Sequence, residues 1–491
     1  MPSSRIPVLL LPLGVFTFAC ALRLFGGSHL WSLTFDSVFY AQATQRVATG
    51  EIAAAIGSLW MPLISWFAAL PTVLGFSPTQ AILLVNMMSA LGTIALLFHH
   101  IKRTSSVTTA TAVALLLAVD PLVVQQATTL GADTLYLFIA TLVVMRNLEK
   151  GSPSLLDAFL LPLLILCRLP GLIAALYILS RWLPWIAARP KTRIATTFPT
   201  LLTILILSLY FRSRIGVLAP SPSFALNHFY LGLEWLHQAP DRWCHLYDGH
   251  HTVLGDLNQL EGPLPPDPAL PQALVFKFRW LTLGRYLFGW LKAVSPPVLA
   301  VAGIGLLRCR REKGISTLFS WAVITTMGMV LSTYVPRYYL PALPFYYVCL
   351  GRALDSPTAS FRKGVVALCA VGNIAILATT LAMGHLKSPR PLTSAGEELY
   401  RRHGPNHRVA TTENFVSAVQ ARGRWKYLPC VGATDLVRYL QEQKIEFVIV
   451  PIPRTLEGGF PKLLEKGFLR NEGLFEREMI FRVQGALAPM H

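Results

Sequence analysis

The segment FDSVFYAQATQRVATGE, residues 35–51, is a polar interruption that directly follows the first apolar stretch of the chain. Its composition predicts a helix with Asp36 at the N-cap and Gly50 just past the C-terminus. One face of this helix collects the residues at i, i+4, i+7 and i+11 spacing, which are Asp36, Tyr40, Ala43 and Val47. The segment is too polar to span a bilayer and is suited to lying along its surface. The rest of the chain decides whether Asp36 only caps a helix or also takes part in chemistry.

The overall composition is that of a polytopic membrane protein. Hydrophobic residues make up 53% of the chain, charged residues 14%, and the mean hydropathy is +0.50, whereas soluble domains carry about 25% charged residues. A net charge of +18 would suit a nucleic-acid partner, but most Lys and Arg residues lie in short clusters between apolar stretches, as the positive-inside rule requires. We therefore interpret the charge as a topology signal and expect no nucleic acid as a partner.

Hydropathy and the basic clusters together predict eleven membrane spans, with the N-terminus in the cytoplasm and the C-terminus outside. The predicted spans are 6–25, 78–100, 107–119, 133–145, two within 155–182, 194–211, 285–307, 318–333, 338–354 and 364–385. The membrane domain is then 1–387, with a first external loop at 27–77 and a large one at 212–284. This topology places several polar residues at the outer face, namely Asp36, Asp120, Asp133, Arg168 and Arg337.

Two apolar stretches need a separate interpretation. Residues 59–75 contain two prolines and are predicted to form a second surface helix. The sequence Ala19-Cys20-Ala21 resembles a signal-peptidase site, but the many spans that follow favour retention of the first span as an anchor.

Arg168 decides how many spans the stretch 155–182 contains. Between Phe159 and Trp182 the only other charged residue is Arg181, which lies at the end of the stretch. A single span over 155–182 would bury Arg168 at mid-membrane, which costs about 2.5–3.5 kcal/mol on insertion scales. Two short crossings that meet at the turn Arg168-Leu169-Pro170-Gly171 avoid this cost, since such a turn can line a polar cavity.

From about residue 388 the composition becomes that of a soluble domain. Strands are predicted at 408–412, 425–430, 447–451 and 478–483, and helices at 414–421, 434–443 and 460–466. The continuous apolar run of residues 447–450 is typical of a buried parallel strand. We expect 388–491 to be a small α/β domain outside the membrane, without a dinucleotide site because it contains no GxGxxG motif.

Cysteine and histidine patterns give no metal or disulfide signal. The seven cysteines show no CxxC spacing, and four of them lie in apolar stretches, namely Cys20, Cys167, Cys349 and Cys369. Cys244 and Cys430 lie in segments expected outside the membrane, and their pairing stays open. The histidines of residues 245–251 lack HExxH spacing and favour a solvated turn, while the aromatic and basic residues of 276–280 suit an interfacial anchor or a headgroup contact.

Three motifs, taken in order, resemble the membrane glycosyltransferases of the GT-C fold, and among them the protein O-mannosyltransferase and lipid A aminoarabinose transferase families. The first is a span that ends in Arg23, followed by the Asp36 helix with Tyr40 and a closing Gly50. The second is Asp120-Pro121 with Asp133 thirteen residues after Asp120, where these families commonly show Asn-Pro and then an acid. The third is the segment RYYLPALPF at residues 337–345, similar to an Arg-Tyr-x-x-Pro-x-x-Pro segment. The resemblance covers residues 1 to about 385.

The resemblance implies transfer of a sugar from a polyprenyl-phosphate donor to a glycolipid, protein or polysaccharide acceptor at the outer face, with inversion at the anomeric carbon. It implies that Asp36 is the general base, which fits a donor whose phosphate leaves as an anion without needing a strong acid. Asp133 corresponds to the second acid of the family. Such an enzyme would lie in the membrane, most simply the bacterial inner membrane.

Further site residues follow from charge and position. Arg168 and Arg337 are the candidates for the donor phosphate, because guanidinium groups match phosphate oxygens in a bidentate manner; the alternative is a structural salt bridge with Asp133. Tyr40 and Tyr338 are supporting residues, and Asp120 is expected to form a turn with Pro121. Asp36 and Asp133 would hold a divalent metal ion if one is present, but no ligand spacing specifies it.

A membrane transporter or lipid flippase is the competing interpretation, because many spans and an intramembrane arginine also suit a substrate path. Against it, the sequence shows no repeated half and no paired broken helices in two halves.

Overall fold

The computed structural model describes residues 10–29, 35–56, 61–150, 153–168, 170–188, 190–215, 218, 220, 294–327, 336–355, 358–387, 395–405, 407–411, 417, 421, 423–428, 433–451, 460–475 and 478–484. Among these residues, helices dominate up to residue 387, and a smaller unit with a five-stranded sheet follows.

The helices of the first part are α1 (Leu10–His29), α2 (Phe35–Ala48), α3 (Leu63–Val73), α4 (Pro78–Thr104), α5 (Val107–Ala118), α6 (Pro121–Ala127), α7 (Asp133–Lys150), α8 (Leu155–Cys167), α9 (Pro170–Ala188), α10 (Pro190–Ile215), α11 (Pro296–Cys309), α12 (Lys313–Met327), α13 (Leu343–Asp355) and α14 (Ala359–Lys387). Short 3₁₀ helices lie at Ile52–Ala55 and Pro336–Ala342. The second part contains α15 (Ala395–His403), β1 (Arg408–Thr411), β2 (Arg424–Tyr427), α16 (Ala433–Glu442), β3 (Phe447–Pro451), α17 (Phe460–Glu465), β4 (Leu469–Phe475) and β5 (Glu478–Val483).

Local sequence explains where several helices begin. The Ser77 hydroxyl accepts a hydrogen bond from the Gln80 backbone N–H, the Gln80 side chain accepts one from the Ser77 N–H, and Pro78 takes the first helical position of α4. Ser154 and Asp157 form the same capping box at α8. These caps supply partners to N–H groups that a helix end leaves unpaired.

The helical part has the features of a membrane domain. Three described helices are long and apolar enough to cross a bilayer, at Pro78–Thr104, Thr196–Ser213 and Ser360–Thr380, and α5 with α6 would add a fourth as a bent pair. Large apolar side chains point outward from such helices: Leu205 on α10 is 52% exposed and Val371 on α14 is 65% exposed. An apolar outer surface on long helices is what contact with lipid requires.

Two breaks interrupt the helical part near charged residues. α5 and α6 meet at a 58° bend at Asp120, and α8 and α9 meet at Arg168, whose backbone is extended. At the second break the Gly171 N–H donates to the Arg168 carbonyl at 2.8 Å. A Cβ at residue 171 would lie 1.9 Å from the Leu164 carbonyl oxygen, so this turn requires glycine. The predicted interruption of 155–182 at Arg168 is therefore confirmed.

The sheet of the second part has the strand order β2-β1-β3-β5-β4. β1 pairs in parallel with β2 and β3, whereas β5 pairs antiparallel with β3 and β4. Val448, Ile449 and Val450 are fully buried, as the apolar run predicted, but β3 is parallel only to β1 and antiparallel to β5.

Several predicted boundaries differ from the structure. α2 begins at Phe35, so Asp36 lies in the first helical turn and the predicted N-cap position is wrong. Gly50 has a positive φ of 100°, as its predicted place after the helix requires. β4 and α15 were not predicted from the sequence.

Other predictions lie wholly or partly outside the described residues. They concern the external loop beyond Ile215 with its histidines and the 276–280 segment, the first part of span 285–307, helix 414–421, and Cys244 and Cys430.

Candidate functional site

α2 carries Asp36 in its first turn and turns its inner face toward the core of the helical part. It packs on α3 and α4, and Ser37, Tyr40 and Thr44 on its inner face are almost completely buried. Asp36 precedes Tyr40 by four residues, which places the two backbones about 6 Å apart along the helix axis. The segment that opened the sequence analysis is thus a helix with one face buried in the bundle.

Asp133 and Arg168 form a buried ion pair. Arg168 Nη2 donates to Asp133 Oδ2 at 2.6 Å, and the exposed fractions of the two side chains are 12% and 3%. Asp133 is the first residue of α7, where the N-terminal dipole also favours a carboxylate. Arg168 reaches it from the break between α8 and α9. The salt bridge that the sequence analysis left as an alternative for Arg168 is therefore present.

Two guanidinium groups flank one tyrosine ring next to this pair. The Cζ atoms of Arg168 and Arg337 lie 5.6 Å and 5.7 Å from the centre of the Tyr338 ring, within the range of a cation–π interaction. Arg337 and Tyr338 belong to the 3₁₀ helix Pro336–Ala342, which contacts α7. Arginines from two distant parts of the chain thus come together at Tyr338.

Tyr40 connects α2 to this cluster, because its hydroxyl lies within electrostatic range of the Arg168 guanidinium. The structure therefore brings together Tyr40, Asp133, Arg168, Arg337 and Tyr338. For Asp36 the structure gives the backbone position only. This position is in the first turn of α2, one helical turn before Tyr40.

Asp120 has other partners. Its Oδ1 accepts hydrogen bonds from the N–H groups of Leu122 and Val123 at 3.0 Å, and its Oδ2 accepts one from the Tyr347 hydroxyl at 2.7 Å. Arg23 lies within electrostatic range and donates to the Ala118 carbonyl at 3.2 Å. Asp120 thus caps α6 and holds the bend between α5 and α6, the kind of turn that an Asp-Pro pair predicts.

Sequence reasoning missed two buried polar residues near the cluster. Tyr136 follows Asp133 by one helical turn and lies within electrostatic range of Asp133 and Arg168, and its hydroxyl has no hydrogen-bond partner among the described residues. Asn86 on α4 donates to two carbonyls of the turn that precedes Asp133. Helical spacing from Asp133 could have identified Tyr136, whereas nothing in the sequence relates Asn86 to a turn over 40 residues away.

The described residues contain no group of three or more metal-ligating side chains. Asp133, a candidate ligand from the sequence, has its Oδ2 engaged by Arg168. The side chains described here therefore do not by themselves form a metal site.

The C-terminal part contacts the same region. The Gln42 side chain on α2 donates to the Gly423 carbonyl at 3.1 Å, just before β2 begins, and α2 contacts β2. The sheet therefore touches the helix that carries Asp36 and Tyr40.

Comparison with solved structures identifies the fold. No protein-family model and no curated protein matches the sequence. Among solved structures, the chain is similar to ArnT from Cupriavidus metallidurans in the apo state, with a TM-score of 0.55, 14% identity and 96% of both chains covered. It is similar to the same protein bound to undecaprenyl phosphate, with a TM-score of 0.54, 14% identity and coverage of 99% of this chain and 98% of that chain.

An archaeal protein shows the same likeness. The oligosaccharyltransferase of Archaeoglobus fulgidus in complex with Zn and sulfate has a TM-score of 0.52 and 11% identity, with 94% of this chain and 71% of that chain covered. The chain therefore has the GT-C fold that these membrane enzymes share, which confirms the resemblance drawn from the sequence motifs.

Proposed function

We propose that this chain is an integral-membrane glycosyltransferase that moves a sugar from a polyprenyl-phosphate donor to a glycolipid, protein or polysaccharide acceptor. The observation that carries the proposal is the meeting of Arg168 and Arg337 around Tyr338, beside the buried Asp133 and next to α2. Two guanidinium groups at one point suit a phosphate. The fold likeness to a protein solved with undecaprenyl phosphate supports a lipid carrier.

In this proposal Arg168 and Arg337 hold the donor phosphate. Arg168 keeps its pair with Asp133, which fixes the guanidinium against the donor, and its Nε has no hydrogen-bond partner among the described residues. A guanidinium can serve a carboxylate and a phosphate at once, because its five N–H donors point in different directions. In this arrangement Asp133 orients Arg168. Tyr40, on α2, lines the site next to Arg168.

The proposed reaction is a single displacement. The acceptor hydroxyl oxygen forms a bond to the anomeric carbon while the bond from that carbon to the phosphate oxygen breaks. The electron pair stays on the phosphate, which leaves as polyprenyl phosphate, and the anomeric configuration inverts. Asp36 takes the proton from the acceptor hydroxyl, and a positioned base of this kind contributes about 10²–10⁴-fold to the rate.

The proposed topology has eleven spans, a cytoplasmic N-terminus and the domain 388–491 outside, in a bacterial inner membrane. That domain would cover the site or bind the acceptor, and its contact at Gln42 and Gly423 supports this. If removal of residues 388–491 left folding, transfer and acceptor choice unchanged, this role of the domain would be refuted.

Binding of the carrier lipid tests the arginine assignment. Full-length protein in detergent is titrated with undecaprenyl phosphate, and Arg168→Lys, which keeps a positive charge beside Asp133 but loses the guanidinium fork, and Arg337→Met are compared with Arg46→Met. Arg46 is a suitable control because it pairs with Glu51 at the far end of α2. The proposal expects the two site variants to bind undecaprenyl phosphate about tenfold more weakly or worse, and the control to bind it with unchanged affinity. Equal binding by all three variants would contradict it.

A further inference from the structure

The turn 128–132 leads directly into Asp133 and is fully enclosed by protein. Residues 126–137 are all buried, so the carbonyls of this turn depend on protein partners. Asn86 Nδ2, on the completely buried side chain of α4, donates to both the Thr129 and the Gly131 carbonyl at 2.9 Å. One amide group thus holds two carbonyls of the turn.

A second contact joins the turn to the residue that precedes Arg168. The Cys167 thiol donates to the Ala132 carbonyl at 3.6 Å. Cys167 precedes Arg168, and Ala132 precedes Asp133, so the chain neighbours of the ion pair are themselves in contact. The position of the turn and the geometry of the pair are therefore linked.

Gly131 lies against the carboxylate itself. A Cβ at residue 131 would lie 3.3 Å from Asp133 Oδ2, and apart from its chain neighbours no other atom of a described residue would lie within 4 Å. This oxygen is the one that accepts the hydrogen bond from Arg168 Nη2. A methyl group here would therefore push the carboxylate by a few tenths of an ångström and disturb little else.

We propose that Asn86 and Gly131 are positioning residues: Asn86 fixes the turn, and the absence of a side chain at Gly131 lets Asp133 Oδ2 meet Arg168. Their effect on donor binding rests on the proposed function, whereas their effect on the ion pair does not. Because small displacements of a binding group weaken an interaction that depends on its orientation, both residues set the affinity for the carrier phosphate through Arg168.

The first experiment measures undecaprenyl phosphate binding to full-length Gly131→Ala and Asn86→Ala in detergent. Gly303→Ala is the matched control, because a Cβ at residue 303 would meet no described residue within 4 Å. The proposal expects Gly131→Ala to bind roughly threefold to tenfold more weakly than the control at a similar melting temperature. It expects a larger loss of affinity for Asn86→Ala, because this substitution removes the hydrogen bonds to both the Thr129 and the Gly131 carbonyl. Control-like binding by Gly131→Ala would overturn the proposal.

The second experiment works even if the protein binds no polyprenyl phosphate, an outcome that would overturn the proposed function. Gly131→Ala is made in the wild type and in the variant Asp133→Ala/Arg168→Met, which lacks both charges and so leaves none unpaired. The melting temperatures of the four proteins form a double-mutant cycle. The proposal is supported if Gly131→Ala lowers the melting temperature in the wild type but not in the uncharged background. An equal decrease in melting temperature in both backgrounds refutes it.

Discussion

Arg168 Nη2 and Asp133 Oδ2 lie 2.6 Å apart, although 35 residues separate them along the chain and each stands at a helix end. The pair joins the start of α7 to the break between α8 and α9. It also sets the place where Arg337, Tyr338 and Tyr40 converge. The candidate site is thus built at helix ends and breaks, where backbone and charged groups can serve a ligand without facing lipid.

Removal of one partner of this pair is expected to destabilise the protein strongly. Arg168→Met leaves the Asp133 carboxylate buried without its counter-charge, at a cost of about 3–5 kcal/mol. The double variant Asp133→Ala/Arg168→Met should recover much of that loss, because neither charge then stays buried. Thermal unfolding in detergent measures both effects, and a double variant less stable than Arg168→Met would contradict this view of the pair.

Tyr347→Phe is expected to lower stability by about 1–3 kcal/mol, because it removes a hydrogen bond to the completely buried Asp120 carboxylate. Tyr177→Phe is the matched control: that hydroxyl donates to the Thr317 carbonyl at 3.3 Å in a half-buried position. Chemical or thermal unfolding of the two variants compares them directly. Equal losses would show that Asp120 does not depend on Tyr347.

Gly171→Ala is expected to prevent the native turn at Arg168, since the added methyl group would meet the Leu164 carbonyl at 1.9 Å. The backbone would have to move, and Arg168 with it. We expect low yield of folded protein by size-exclusion chromatography, with Gly303→Ala behaving as wild type. Normal folding and carrier binding by Gly171→Ala would show that the turn differs from the one described.

The stability of the C-terminal domain should depend on pH through His407. Burial lowers the pKa of His407, but its contacts with Glu446 and the His403 carbonyl outweigh this, so the pKa lies above the usual 6.5. The stabilisation by protonated His407 is complete below pH 6.5 and is lost as pH rises through the higher folded value. It amounts to less than about 1 kcal/mol, because Glu446 is half exposed and solvent screens the pair.

Amide hydrogen exchange of β1 and β3 in the full-length protein, corrected for the intrinsic rate, measures this effect between pH 6 and pH 8. Protection should fall over that range in the wild type and stay constant in His407→Gln. A slope that persists in His407→Gln would assign the pH dependence to another group.

Sequence reasoning succeeded where one residue type forces one structure. Arg168 in an apolar stretch predicted a helix break because an isolated charge at mid-membrane is costly, and Gly50 predicted the end of α2. It failed where distant parts meet: the hydrogen bonds of Asn86 to residues 129 and 131 depend on how α4 packs against α7. β4 was missed because this edge strand is polar and irregular, with a register shift between Asn471 and Gly473.

Transfer of a labelled sugar tests the central claim most directly. Membranes that contain wild type, Asp36→Asn or Glu51→Gln at equal levels are supplied with a panel of polyprenyl-phosphate sugars, and label bound covalently to an acceptor is measured. Glu51 is the matched control, because it is an exposed carboxylate paired with Arg46 at the other end of α2. We predict transfer by wild type and Glu51→Gln and a loss of about 10²-fold or more in Asp36→Asn with carrier binding retained. No transfer from any donor by wild type, with label instead moved unchanged across the bilayer, would contradict the enzyme and indicate a transporter.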